Sequence, residues 1–286
     1  MVSPLQYHPS PLISAESLNE ILNDPDVGVV DCRFSLNEPG RGERNWAEAA
    51  IPGAVYAHLD RDLSSTQNDP GQGRHPLPTA EQIRSRLASW SFSDTSLVVC
   101  YDDAGGPFAA RLWWLLRWLG HEAAVVLDGG WQAWLATGAP TEPGKRQIAT
   151  ENPALAPASS DDALLASASD LLSGAQPVDA RSRARYLGME EPIDPVAGHI
   201  PGAVSMPWME NLASDGRFLP KHELAARWHA AGGTEHAICY CGSGVTACHN
   251  ILAAAVAGLP LPRLYPPSWS GWIADPSHPV ATGQET

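Results

Sequence analysis

The feature that most constrains this chain is that it contains the same unit twice. Val29-Val30-Asp31-Cys32-Arg33 returns as Pro177-Val178-Asp179-Ala180-Arg181, and Ile51-Pro52-Gly53-Ala54-Val55 returns unchanged as Ile200-Pro201-Gly202-Ala203-Val204. Val99-Cys100-Tyr101-Asp102 is matched by Ile238-Cys239-Tyr240-Cys241, and Gly130-Trp131-Gln132-Ala133-Trp134 by Ser268-Trp269-Ser270-Gly271-Trp272. The matches keep their order at offsets of 148, 149, 139 and 138 residues. Slowly drifting offsets mean a duplicated domain with loops of unequal length; a short-period solenoid would show many more copies. A length of 286 residues suits two ordinary domains. The expected division is a first domain over 1–140, a linker over 141–160 and a second domain over 161–286. The linker stretch carries Pro143, Pro153 and Pro157 with little periodic apolarity.

Within each copy, short apolar runs alternate with helical patterns. Val27–Val30, Ser96–Cys100 and Ala123–Leu127 read as buried strands in the first copy; Val178–Ala180, Ala237–Tyr240 and Arg263–Tyr265 are their partners in the second. Thr79 with Gln82 three residues on marks a capped helix start, and Gly232-Gly233 stops a helix that begins near Lys221. Phe108 to Leu119 and Thr246 to Ala257 are strongly apolar helices. This alternation predicts an α/β fold, each domain a parallel sheet flanked by helices. Such sheets bind ligands outside the C-terminal ends of their strands.

Composition narrows the function. Eighteen basic residues against 32 acidic ones give a formal charge of −14, the wrong balance for a nucleic-acid footprint or for docking on an anionic membrane. No apolar run approaches the ~18–20 residues of a membrane span. Met1 to Ser14 lacks a basic segment followed by an apolar one, so no secretory signal is read there. Five cysteines, odd in number and sparse, do not make a disulfide scaffold, and a reduced, cytoplasmic protein is expected.

The chemistry concentrates at Cys241. It follows a strand directly and opens Cys241-Gly242-Ser243-Gly244-Val245-Thr246, ahead of a helix N-terminus. Main-chain N–H groups of a tight loop form an anion-binding concavity, and the helix dipole adds positive potential; both favour a thiolate. Gly242 and Gly244 would let the backbone curl around the sulfur. Cys32, Cys100, Cys239 and Cys248 read as small buried hydrophobes. The Cys239, Cys241, Cys248 and His249 spacing fits none of the usual zinc patterns. The first copy carries Asp102 where the second has Cys241, and Asp cannot serve as a thiol nucleophile, so the first copy is expected to be non-catalytic.

The tandem units, the repeated Ile-Pro-Gly-Ala-Val and Cys241-Gly242-Ser243-Gly244-Val245-Thr246-Ala247 resemble a two-domain sulfurtransferase of the rhodanese type, over about Leu12 to Val280. The resemblance implies two rhodanese-like domains and a persulfide reaction. A Cys241 thiolate takes a sulfane sulfur from a small-molecule donor and passes it to cyanide or a thiol, in two covalent steps. It implies no metal or organic cofactor, and a thioredoxin-like reductant as a partner. Members that prefer thiosulfate carry basic residues just after the cysteine. Gly242 and Ser243 are neutral, which looks more like the 3-mercaptopyruvate sulfurtransferases. In that subfamily an arginine after the second Asp-x-Arg binds the donor carboxylate, and Arg185 matches it. A second arginine is expected a few residues on, but the nearest matching position is Asp194, a departure for which Arg183 is the candidate to compensate. The same subfamily implies a proton relay of Ser243, His75 and Asp60. Gly242, Gly244 and Val245 would line the donor site with Arg185, and Thr246 would either bond the persulfide or cap the helix.

Two other classes stay in view. A cysteine phosphatase would use a similar thiolate loop, but needs an arginine six positions after the cysteine, where this chain has Ala247. The other is a sulfur-carrier or binding module without turnover; single-domain relatives that only bind partners often lack the cysteine, and the presence of Cys241 argues against that class. His199 is expected to pack locally, His222 and His229 to face solvent, and Trp113, Trp114, Trp118, Trp131, Trp134, Trp269 and Trp272 to be structural.

Overall fold

The structure, a computed structural model, describes residues 10–66, 69–145 and 155–284. The chain divides into two compact units. The first takes Met1–Ser65, Pro78–Asp161 and Ser214–Arg217; the second takes Thr66–Leu77, Asp162–Ala213 and Phe218–Thr286. Thr66–Leu77 therefore groups with the second copy although it lies within the first in sequence. Of the linker expected over 141–160, residues 146–154 lie outside the described residues. Its beginning is bound to the first unit, where Ala50 and Glu142 exchange main-chain hydrogen bonds of 2.8 and 3.0 Å.

The first unit holds a five-stranded sheet: β1 (Leu12–Ile13), β2 (Val27–Asp31), β3 (Val55–Tyr56), β4 (Leu97–Tyr101) and β5 (Ala124–Leu127). All its pairings are parallel and the order is β1-β5-β4-β2-β3. The second unit holds β6 (Gln176–Asp179), β7 (Val204–Ser205), β8 (Ala237–Tyr240) and β9 (Arg263–Leu264), also parallel, in the order β7-β6-β8-β9. The orders are the same once β6 is matched to β2 and β8 to β4. The counterpart of β1 shrinks to one parallel bridge between Leu165 and Leu264. The central strands β4 and β8 are buried along their whole length, as helix-covered parallel strands require.

The repeated sequences build the same devices in both units. Ile51 and Ile200 donate their N–H to the hydroxyls of Tyr101 and Tyr240, at 3.4 and 3.2 Å, and Gly53 and Gly202 close each turn at φ +76° and +78°. Arg33 and Arg181 each form a buried pair with the aspartate two residues earlier, at 2.6 Å. Their guanidinium carbons lie 4.6 Å over Trp131 and 4.7 Å over Trp269. Buried pairs of this kind contribute little net stability, but they fix geometry.

The helices start and stop as their residues dictate. Thr79 and Gln82 form the reciprocal capping box of Ala80–Ser89. Pro107 sits at the first position of Pro107–Trp118, a helix that buries Trp113, Trp114 and Trp118. The helix Ala247–Ala257 ends on Gly258 in the left-handed conformation, φ +74°. Among the described residues no helix is long and apolar enough to cross a membrane.

Candidate active site

Cys241 is the first residue beyond β8, at the C-terminal edge of the second sheet, and only 2% of it is exposed. Its sulfur accepts the N–H of Gly244 at 3.1 Å. Gly244 has φ +79°, and a Cβ there would lie 2.4 Å from the Pro266 carbonyl oxygen, so both the turn and the packing demand glycine. Gly242 plays a different part from the one its sequence suggested. Its backbone is not left-handed; instead, an added Cβ would lie 2.9 Å from Arg74 Nη2 and 3.5 Å from both terminal nitrogens of Arg185. Its missing side chain leaves room for two guanidinium groups.

The loop is held from behind by the segment Pro267–Trp272. The Cys241 N–H donates to Ser268 Oγ at 3.1 Å, the Trp269 N–H to the Cys241 carbonyl at 2.9 Å, and the Ser270 N–H to the Gly242 carbonyl at 3.0 Å. Val245 is buried. Thr246 stands at the head of the helix Ala247–Ala257 with helical φ and makes no side-chain capping bond, so the capping alternative is not realised.

The Thr66–Leu77 segment delivers two further side chains. His75 is buried, and its Nδ1 lies 2.7 Å from Ser243 Oγ. These residues are 168 positions apart in the chain. Asp60, the third member of the expected relay, belongs to the first unit; it lies in the helical turn Leu59–Asp62, its N–H on His58 Nδ1 at 3.2 Å. Arg74, adjacent to His75, is the residue that sequence reasoning missed. It pairs with Asp194 and faces Gly242.

Arg185 lies on the helical turn Arg183–Tyr186, where Ser182 Oγ accepts its N–H. Its guanidinium reaches Glu191 at 2.7 and 3.1 Å and Asp194 at 3.0 Å. Glu191 also accepts from Arg181 at 3.3 Å, tying the buried Asp179–Arg181 pair to the same cluster. Arg183 points elsewhere: it is exposed and bonds Gln284 at 3.0 Å, so it does not take the place of the missing second arginine. Burial pushes the Asp194 carboxyl up, against the pull of Arg74 and Arg185. Burial acts the same way on Glu191, but hydrogen bonds from Arg185 and the Asp194 N–H outweigh it and hold that carboxyl below its ordinary value. A neighbouring cavity of about 650 Å³, lined by Pro70, Gly71, Tyr265 and Pro267 among others, includes none of residues 241–246.

The matching loop of the first unit is filled by its own anion. Asp102 Oδ1 accepts the N–H groups of Ala104 and Gly106, both at 2.8 Å, and Oδ2 accepts those of Phe108 and Ala109 at 2.9 and 3.0 Å. Cys32, Cys100, Cys239 and Cys248 are buried free thiols. His199 is wholly buried, its Nδ1 2.7 Å from the Tyr186 carbonyl.

Residues 14–137 and 164–275 each match the Rhodanese-like domain family. The chain is 47% identical to a protein of Pseudomonas aeruginosa named "Probable 3-mercaptopyruvate sulfurtransferase", over 95% of this chain and 98% of that one. It is 33% identical to the thiosulfate sulfurtransferase of Bos taurus, over 94% and 93%. The solved 3-mercaptopyruvate sulfurtransferase from Leishmania major superposes with a TM-score of 0.82 at 29% identity, covering 92% of this chain and 74% of the other.

Proposed function

From the premise that the chain belongs to the rhodanese family of sulfurtransferases, we propose that it carries a sulfane sulfur on Cys241, taken from 3-mercaptopyruvate in preference to thiosulfate. The observation that carries this reading is the sulfur of Cys241 held on the Gly244 N–H, in a loop whose next residue is bare of side chain and faced by two guanidinium groups. The relatives' names supply the two donor classes; the neutral Gly242 and Ser243 favour the carboxylate-bearing one.

In the first step the Cys241 thiolate attacks the donor sulfur, an S–S bond forms and the donor C–S bond breaks. Its electron pair stays on carbon as the enolate of pyruvate, which takes up a proton. An acceptor thiolate or cyanide then attacks the outer sulfur of the persulfide, and the S–S electron pair returns to Cys241. A thioredoxin-like dithiol completes the cycle when the acceptor is a thiol, releasing the sulfur as sulfide and leaving as a disulfide. With thiosulfate the leaving group of the first step is sulfite. Arg185 binds the donor's anionic oxygens, and Gly242, Gly244, Val245 and Thr246 form the wall around the sulfur. Ser243 and His75, 2.7 Å apart, move the proton, with Asp60 as the third residue assigned to that relay. The first copy, over 1–140, lends His75 and Asp60 to the relay but has no nucleophile of its own, its matching loop being filled by Asp102; the linker over 141–160 joins it to the domain over 161–286 that carries Cys241. Five free thiols suit a cytoplasmic location.

Side-by-side kcat/KM with the two donors tests the reading. The expected result is sulfur transfer from both, greater from 3-mercaptopyruvate, and none with Cys241→Ala. Transfer at wild-type rate without Cys241 would overturn it.

A further inference from the structure

The cavity of about 650 Å³ near the Cys241 loop includes none of residues 241–246, and the sulfur-transfer cycle above makes no use of it. We propose that this cavity binds a small organic ammonium, a primary amine carried on an apolar body. The site stands apart from the donor's place at Cys241 and does not depend on the sulfurtransferase reading.

Three observations carry it. The first is size and lining. The volume falls within the ~300–1,000 Å³ of small-molecule sites. Its described lining residues all belong to the second unit. Leu77, Leu165, Pro266 and Pro267, buried or half-buried, give it an apolar floor. The carbonyls of Pro266 and Pro267 lie where Cβ atoms on Gly244 and Gly73 would meet them, each at 2.4 Å, so that floor is packed from behind and preformed.

The second is a hydrogen-bonding group without a partner. Tyr265 lines the cavity and is only 3% exposed, and its hydroxyl makes no hydrogen bond among the described residues. Nor is that oxygen among the polar atoms sealed inside the core, so it opens on the cavity. Burial alone pushes the phenol up to about 12, and it stays protonated. A hydroxyl this deep is costly to leave unpaired, and a polar atom of a bound molecule meets that need.

The third is charge. Asp69 and Asp275 line the cavity, and among the described residues no lysine or arginine does. Asp69 Oδ1 accepts the Gly71 N–H at 3.0 Å, and Asp275 Oδ1 accepts the N–H and hydroxyl of Ser277 at 2.9 and 2.7 Å. The second oxygen of each carboxylate takes no hydrogen bond among the described residues. His278, also in the lining, stacks on the buried Trp272 ring at 4.2 Å, its Nδ1 2.9 Å from the Trp272 carbonyl. A carbonyl only accepts, so Nδ1 carries the proton, and Nε2 of the neutral ring is a further acceptor. An ammonium brings three N–H donors and one positive charge to such a set, whereas an anion, the sulfur donors included, is repelled by it.

Calorimetric titration of the full chain with phenethylammonium chloride tests the proposal. The probe should bind with a dissociation constant of about 1 mM or below. Phenylpropionate, a similar body bearing a carboxylate, should bind at least about tenfold more weakly. Tyr265→Phe removes one oxygen, keeps the ring and should weaken binding about 3–10-fold. Asp69→Asn combined with Asp275→Asn keeps the acceptors for Gly71 and Ser277 and should weaken it at least about tenfold. Ala274→Trp, at an exposed position of the lining, should block the cavity and abolish binding. Glu20→Gln, an exposed carboxylate of the first unit, should change nothing, which separates a site from general attraction to a chain of charge −14. Should the double variant fail to fold, Tyr265→Phe and Ala274→Trp decide. The proposal is overturned by absence of binding at about 10 mM probe, by equal binding of phenylpropionate, by wild-type affinity in Tyr265→Phe, the double variant or Ala274→Trp, or by an equal loss in Glu20→Gln.

Discussion

Asp102 offers the sharpest test of how the first copy is built. Its carboxylate is 1% exposed and accepts four main-chain N–H groups between 2.8 and 3.0 Å. Asp102→Ala leaves four main-chain donors without an acceptor, three of them buried and that of Ala104 part-buried. A single water in the vacated volume accepts from two of them. The two left over cost about 1–3 kcal/mol each, so a loss of about 4 kcal/mol is expected. Asp102→Asn should be nearly as damaging despite its shape. Its Oδ1 satisfies two donors, but its NH₂ group meets the other two donor to donor. For a domain of this size, about 4 kcal/mol lowers the unfolding midpoint by roughly 10 °C. Calorimetry gives the midpoint, and exchange protection of the Ala104, Gly106, Phe108 and Ala109 amides assigns the loss to this loop. Sulfur transfer measured well below that midpoint should stay at the wild-type rate. An asparagine variant that melts with wild type would refute the four-donor argument. A loss of transfer as complete as that of Cys241→Ala would refute the reading of the first copy as having no nucleophile of its own.

Other consequences are equally concrete. Gly244→Ala forces a side chain into a left-handed position and against the Pro266 carbonyl, so sulfur transfer should fall at least about a hundredfold as the loop N–H leaves the sulfur; an active variant would show that this amide is dispensable. With 3-mercaptopyruvate as donor, Arg185→Ala should reduce catalytic efficiency by about 10–100-fold, and unchanged kinetics would remove it from the donor site. Ser243→Ala should lower kcat with little change in donor KM, as expected of a group that moves a proton; a pure KM effect would contradict the relay. Glu191 has a folded pKa held below its unfolded value of about 4.3, so its contribution to stability is whole above that value and is lost as pH falls through the folded one. The melting difference between wild type and Glu191→Gln should therefore be flat above about pH 5 and shrink below about pH 4; a difference that grew on acidification would reverse the sign of this coupling.

The sequence by itself determined the duplication, the parallel α/β architecture of each copy and the position of Cys241 at a strand end. It could do so because these follow from local periodicity and from identical residues repeated in order. Burial along the whole of β4 and β8 is written in their unbroken apolar runs, and the Thr79 cap in two residues three apart. Tertiary structure alone decided that Thr66–Leu77 joins the second unit, that His75 meets Ser243, and that Arg74 pairs with Asp194 across 120 positions. A glycine- and proline-rich segment has no periodic face and so carries no local trace of where it docks. The one sign available was Gly73-Arg74-His75 itself, a left-handed turn presenting a cation next to the proposed relay histidine. The same physics separates the two loops that follow β4 and β8. Their sequences say that one bears a carboxylate and the other a thiol. That the carboxylate fills its own cradle of amides, while the thiol takes one loop N–H and the glycine after it faces two arginines, depends on which backbone donors and which distant side chains the fold brings together.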